Sequence, residues 1–159
     1  MIPQSGYRLD PKLAFAFANR GVAYTNKGDT DRAIADYSEA IRLDPKNARR
    51  FSYRGNAYAD KGDTDRAIAD YSEAIRLDPA LEFAFNNRGV AYRRKGDYDR
   101  AIADHTEAIR LNPTFGNAFS NRGIAYGSKG EYDRAIADFS EAIRFDPKSA
   151  SVFSATGTG

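Results

Sequence analysis

Apolar and polar positions follow one another along this chain with a helical period that restarts at regular intervals. Phe17, Gly21 and Tyr24 fall at i, i+4 and i+7, and Ala33, Ile34, Tyr37, Ala40 and Ile41 fall at i, i+1, i+4, i+7 and i+8. Each set marks a helix with a single buried stripe. Between them, Lys27-Gly28-Asp29 offers a left-handed residue to stop the first helix and a carboxylate to cap the second. A connection that short predicts antiparallel helices. Asp44-Pro45 then ends the second helix, because proline disfavours a helical residue before it and has no amide of its own.

The same pattern returns three times. Lys27 to Pro45 is repeated residue for residue at Lys61 to Pro79, and with substitutions at Lys95 to Pro113 and Lys129 to Pro147, a step of 34 residues. A fixed period of this size predicts an all-α array of stacked units rather than one globular core. The units are placed at 14–47, 48–81, 82–115 and 116–149. Residues 1–13 read as the remnant of a preceding unit, since Arg8-Leu9-Asp10-Pro11 precedes Arg42-Leu43-Asp44-Pro45 by one period. Residues 150–159 read as the start of a fifth unit or a decayed terminus, with Phe153 and Gly157 on the Phe17 and Gly21 positions. Gly21, Gly55, Gly89 and Gly123 stand inside the first helices, where glycine costs about 1 kcal/mol relative to alanine. Their recurrence predicts a close crossing within each pair.

Composition narrows the function. The 24 basic and 22 acidic side chains leave a formal charge of +2, which argues against a general nucleic-acid or membrane binder. There is no cysteine, hence no disulfide framework and no thiolate chemistry. The opening lacks a basic start and an apolar run, and no apolar stretch approaches the roughly 18 residues of a membrane span. A soluble, cytoplasmic segment is the expectation.

Phe17-x2-Arg20-Gly21-x2-Tyr24, followed by Ala33-x3-Tyr37, Ala40 and Pro45, resembles the tetratricopeptide repeat, and the likeness recurs across residues 14–149. The resemblance implies a right-handed α-solenoid of antiparallel helix pairs, a TPR superhelix that binds proteins or peptides and is not an enzyme. Two departures stand out. The large aromatic is Phe17, Phe51, Phe85 or Phe119 rather than tryptophan, and the position usually held by leucine is Arg20, Arg54, Arg88 or Arg122. These arginines are either a ligand contact made four times or a structural group. Asp36, Asp70, Asp104 and Asp138 recur in step with them, so a fixed guanidinium–carboxylate pair with its aliphatic stem on the apolar seam is the expectation.

In the family, first helices line a concave groove. Carried onto this chain, the groove positions give a candidate peptide-binding set of Phe15, Asn19, Arg49, Tyr53, Asn56, Phe83, Asn87, Arg93, Arg94, Asn117 and Asn121. An asparagine amide can donate to and accept from one peptide group, so Asn19, Asn87 and Asn121 form a row suited to an extended backbone. The alternative is that they merely solvate a helix. Arg49, Arg93 and Arg94 against Asp60 make the groove mildly basic and favour a ligand with some acidic residues. The carboxylate clamp by which some family members hold chaperone tails is broken, because Ser52, Asn117 and Asn121 occupy its basic places beside Asn56 and Asn87.

Catalysis finds little support. His105 is the only histidine and stands where other units have Tyr37, Tyr71 and Phe139, which reads as a core substitution. It has no second histidine or cysteine with which to make a metal site or nucleophile pair, so no cofactor or metal is expected. Asp31, Asp36, Glu39 and Asp44 interleave with Arg32 and Arg42 as on a solvated helix face. Two other functions remain open: a self-assembly module stacking end to end through its terminal repeats, and an accessory segment of a larger enzyme.

Overall fold

The computed structural model describes residues 10–146, so the expectations for residues 1–9 and 147–159 lie outside the described residues. Eight helices and no strand are found among the described residues: α1 (Pro11–Lys27), α2 (Thr30–Leu43), α3 (Ala48–Asp60), α4 (Thr64–Leu77), α5 (Glu82–Arg94), α6 (Tyr98–Leu111), α7 (Gly116–Ser128) and α8 (Tyr132–Phe145). They pair as α1/α2, α3/α4, α5/α6 and α7/α8, and the chain divides into two units, residues 1–79 and 80–159. Within the first unit α2 packs on α3, and within the second α6 packs on α7. None of the helices among the described residues is long and apolar enough to cross a membrane.

The turns form as their residues dictate. Gly28, Gly62, Gly96 and Gly130 have φ of 79°, 83°, 78° and 79°, the left-handed region where a Cβ is strained. Asp29, Asp63 and Asp97 then cap the second helices by accepting from the backbone N–H of Arg32, Arg66 and Arg100. Glu131 makes no such cap and pairs instead with Arg134 and Lys129. The N-terminal end behaves differently from Asp44-Pro45. Asp10 accepts from the amides of Lys12 and Leu13, and Pro11 opens α1, where its missing N–H costs nothing. An Asp-Pro pair can close a helix or start one, and here it starts one.

Gly21, Gly55, Gly89 and Gly123 each lie against an aromatic ring of the partner helix. A Cβ on Gly21 would lie 2.7 Å from Tyr37 Cε1, on Gly55 2.8 Å from Tyr71 Cε1, and on Gly89 2.7 Å from His105 Cε1. At Gly123 the nearest atom, Phe139 Cε1, is 3.1 Å away. Tyr37, Tyr71 and His105 are buried and cannot yield, whereas Phe139 is half-buried. Gly55→Ala will therefore lower stability by about 1 kcal/mol despite the gain in helix propensity, the net of about 1–3 kcal/mol of overpacking and about 1 kcal/mol regained. Gly123→Ala, with a yielding neighbour, will be neutral or stabilising. Urea midpoints of the two variants check this, and equal shifts would disprove the ring-contact explanation.

Candidate functional site

The repeated arginines are structural. Arg20, Arg54, Arg88 and Arg122 each grip the aspartate sixteen residues on, Nε to Oδ2 and Nη2 to Oδ1, at 2.7–2.9 Å. Asp36, Asp70, Asp104 and Asp138 are buried. The two-point match suits planar guanidinium, and donating to the Asp70 carboxylate holds Arg54 above its ordinary pKa. Arg54 also lies over Phe51 and Tyr58, 5.7 and 5.9 Å from the ring centroids, and donates to Ser38 Oγ at 3.1 Å in the preceding helix pair. Arg122 makes the same reach to Thr106 Oγ1.

The ring position of the second helix also needs a polar partner whenever its ring has a polar tip. Tyr37 Oη lies 3.1 Å from Thr25 Oγ1, and Tyr71 Oη donates to Asn56 Oδ1 at 2.8 Å. Fully buried His105 bonds through Nδ1 to Asn86 Oδ1 at 3.1 Å, while Phe139 has no such tip to satisfy. With Nδ1–H as the donor, Nε2 is a buried acceptor without a partner. Burial, then the nearby cations Arg93 and Arg122, lowers the His105 pKa to about 3, so the ring stays neutral at physiological pH.

The candidate residues fall on the first helices and are taken unit by unit. In the first unit Phe15 and Asn19 are exposed on α1, and Arg49 and Tyr53 are exposed on α3, where Tyr53 packs on the Tyr37 ring at 5.9 Å between centroids. Asn56 is half-buried with its carbonyl committed to Tyr71. In the second unit Phe83 and Asn87 are half-buried on α5, Arg93 and Arg94 close that helix, Asn117 is exposed on α7 and Asn121 is half-buried there. Three asparagines meet on this face. Asn121 Nδ2 donates to Asn86 Oδ1 at 3.1 Å, and Asn86 Nδ2 approaches Asn87 Oδ1 at 3.5 Å. Nearby, Arg93 Nε is a buried donor without an acceptor.

Sequence reasoning missed the ring contacts of Asn86 and Thr25, and the burial of Arg50. The first two face polar ring tips, and comparing each ring with the first helix beneath it would have found them. Arg50 is buried where the other units have Ala16, Ala84 and Ala118, and it donates to Asp44 Oδ2 at 2.6 Å and to the Asp44 and Ala40 carbonyls at the end of α2. A charged residue in an alanine column was its signal. No group of three or more metal-ligating side chains occurs among the described residues. Shallow clefts at the turns, lined by Lys27, Asp29, Asp31 and Lys61 and by Lys95, Asp97, Asp99 and Lys129, are each crossed by an ion pair.

Comparison with known proteins agrees with this architecture. TPR repeat profiles match residues 21–62 and 55–96, and the tetratricopeptide repeat profile matches 83–115 and 116–149. None of the curated proteins compared with the chain matches it. Among solved structures, a crystal structure of MamA is 27% identical with a TM-score of 0.80, covering 89% of this chain and 83% of that one. The first TPR of Spaghetti (RPAP3), bound to the HSP90 peptide SRMEEVD, is 23% identical with a TM-score of 0.76, covering 79% of this chain and 99% of that one. The OM64 TPR domain of Arabidopsis is 24% identical with a TM-score of 0.72, covering 74% and 97%. With repeat matches running from residue 21 to residue 149, an all-α solenoid of helix pairs and the aromatic–glycine crossing in every pair, the chain belongs to the tetratricopeptide-repeat family and is a protein-interaction scaffold.

Proposed function

We propose that this scaffold is non-catalytic and that the first-helix face of its second unit, α5 and α7, binds an extended peptide segment carrying acidic residues. The observation that carries this reading is the buried, unpartnered Nε of Arg93 beside an asparagine cluster. An orphaned donor costs about 1–3 kcal/mol, and an acceptor arriving with a ligand removes that cost. One N–H of Asn121 is used on Asn86, and its other N–H and its carbonyl are the donor and acceptor that a peptide group needs. Arg93, one of the two cations that after burial lower the His105 pKa, supplies positive charge suited to Asp or Glu. Phe83 adds apolar area on α5.

The chemistry differs from a chaperone-tail clamp. SRMEEVD is the peptide seen on the RPAP3 repeat, but here Ser52, Asn117 and Asn121 stand where such a clamp places basic residues. The ligand end of choice is an internal stretch rather than a terminal carboxylate. A few net bonds of about 0.5–1.5 kcal/mol each with modest aromatic contact give roughly micromolar affinity.

Fluorescence anisotropy with a labelled library of ten-residue peptides tests the reading. Acidic members will bind more tightly than charge-scrambled ones, Arg93→Ala will weaken that binding about tenfold, or about 1.4 kcal/mol, and Asn121→Ala will weaken all members alike. A library with no acidic preference, or a preference untouched by Arg93→Ala, rejects it.

A further inference from the structure

Asn86 stands at the centre of the asparagine cluster of the second unit without being part of its surface. It is 6% exposed, which leaves almost nothing for a ligand to touch. Its carbonyl accepts from His105 Nδ1 and from Asn121 Nδ2, both at 3.1 Å, and its Nδ2 approaches Asn87 Oδ1 at 3.5 Å. Two donors converging on one end of an amide allow only one placement of its oxygen. The neutral ring of α6 thus fixes Asn86 on α5, and Asn86 fixes Asn121 on α7.

An asparagine amide has two ends of nearly equal size and opposite hydrogen-bonding character, so an untethered one can present either. Asn121 is tethered by its nitrogen. Its carbonyl is therefore directed away from Asn86 with the second N–H beside it, and the side chain is ordered before any ligand arrives. Ordering a mobile side chain opposes binding, and a tethered one is spared that loss. The first unit supplies the contrast. There the columns of Asn86 and Asn121 hold Ala18 and Tyr53; the alanine side chain has no polar group to offer, and Tyr53 packs on the Tyr37 ring instead.

We infer that Asn86 is a positioning residue for the peptide face of the second unit, touching no ligand and setting the direction in which Asn121 offers its carbonyl and N–H to the ligand backbone. This role rests on the reading of α5 and α7 as a peptide-binding face and divides the work among its residues. Arg93 selects the acidic side chain, Asn121 grips a peptide group of any sequence, and Asn86 acts only through Asn121.

Asn86→Ala alone strands the buried His105 Nδ1–H, so the test is made on His105→Phe, which removes that donor; Ala18 shows that the column takes alanine. In fluorescence anisotropy, His105→Phe with Asn86→Ala will bind acidic and charge-scrambled peptides about fivefold more weakly than His105→Phe, the size of one net hydrogen bond, and will keep the ratio between them. Adding Asn121→Ala to both chains will abolish the difference, which a merely structural defect would not do. With no peptide present, NMR will find one Asn121 side-chain N–H exchanging slowly with solvent in His105→Phe, and that protection gone once Asn86 is replaced. Equal affinities of the two chains, a loss that persists without Asn121, or an Asn121 amide unprotected before Asn86 is replaced overturns the role of Asn86 while peptide binding stands. The peptide-binding reading fails separately, on a library with no acidic preference or a preference untouched by Arg93→Ala, and a wild type that binds no peptide overturns both.

Discussion

Arg54→Leu will destabilise the protein by about 3 kcal/mol even though leucine is the usual tetratricopeptide residue at that position. Asp70 is buried beneath Arg54, and its two carboxylate oxygens take the Nε and Nη2 hydrogens. Removing the guanidinium leaves an uncompensated charge in a poorly solvated place, which costs about 3–5 kcal/mol for a fully buried pair and somewhat less here because the Arg54 side chain keeps 20% of its surface in water. The Ser38 hydroxyl loses a donor as well. Removing both partners has a different outcome. Arg54→Leu with Asp70→Ala deletes the stranded charge and returns the seam to an apolar one, so the double variant will recover most of the loss. Urea unfolding of the wild type, both single variants and the double variant gives the full cycle. A single-variant loss below about 1 kcal/mol would reduce the pair to an ordinary surface ion bridge.

That pair shows why much of the fold was legible from the residues. Gly28, Asp29 and Pro45 act through local backbone geometry, which depends on neighbours in sequence, so turns and helix ends could be read directly. The Arg20 and Asp36 columns sit on different helices but move in step through four copies, and a repeated chain offers that internal comparison where a single copy would not. Gly21, Gly55, Gly89 and Gly123 could be assigned to a close crossing, and the ring that each one meets is the residue at the column of Tyr37, Tyr71, His105 and Phe139.

The candidate site was less legible because its residues differ from unit to unit, and a position that varies has no internal copy to explain it. Asn56 belongs to the candidate peptide-binding set, and its carbonyl also accepts from Tyr71, a partner on another helix that its own sequence position does not reveal. Asn86 occupies the column of Ala18, Ser52 and Ser120, and its carbonyl serves both His105, which stands where other units have a larger ring, and Asn121. Arg50 shows the same limit, since a groove-independent helix-capping role depends on the Asp44 and Ala40 carbonyls presented by the preceding turn. Variation along the first helices therefore mixes two causes, ligand contact and accommodation of the ring beneath, and only the placement of side chains separates them.

Acid will weaken this protein through His105 by about 2–3 kcal/mol between pH 7 and pH 4.5, beyond whatever its carboxylates contribute. The ring is fully buried, Nδ1 is committed to Asn86, Nε2 has no partner, and Arg93 and Arg122 oppose a third positive charge. Its folded pKa of about 3 lies below the unfolded value of about 6.5. Between those values the unfolded chain binds the proton and the folded chain does not. Stability therefore falls as pH falls through 6.5, at about 1.4 kcal/mol per pH unit, and the loss levels off below about pH 3. His105→Phe removes the titrating group while keeping an aromatic ring, as at Phe139, and leaves Asn86 Oδ1 to accept from Asn121. Carboxylate titration is common to both chains and cancels in the comparison. Unfolding free energies of the wild type and His105→Phe, measured at pH 7 and pH 4.5, will diverge by that amount. Parallel pH profiles would mean that the ring finds water or a carboxylate when protonated, and that the seam between α5 and α6 opens more readily than its packing indicates.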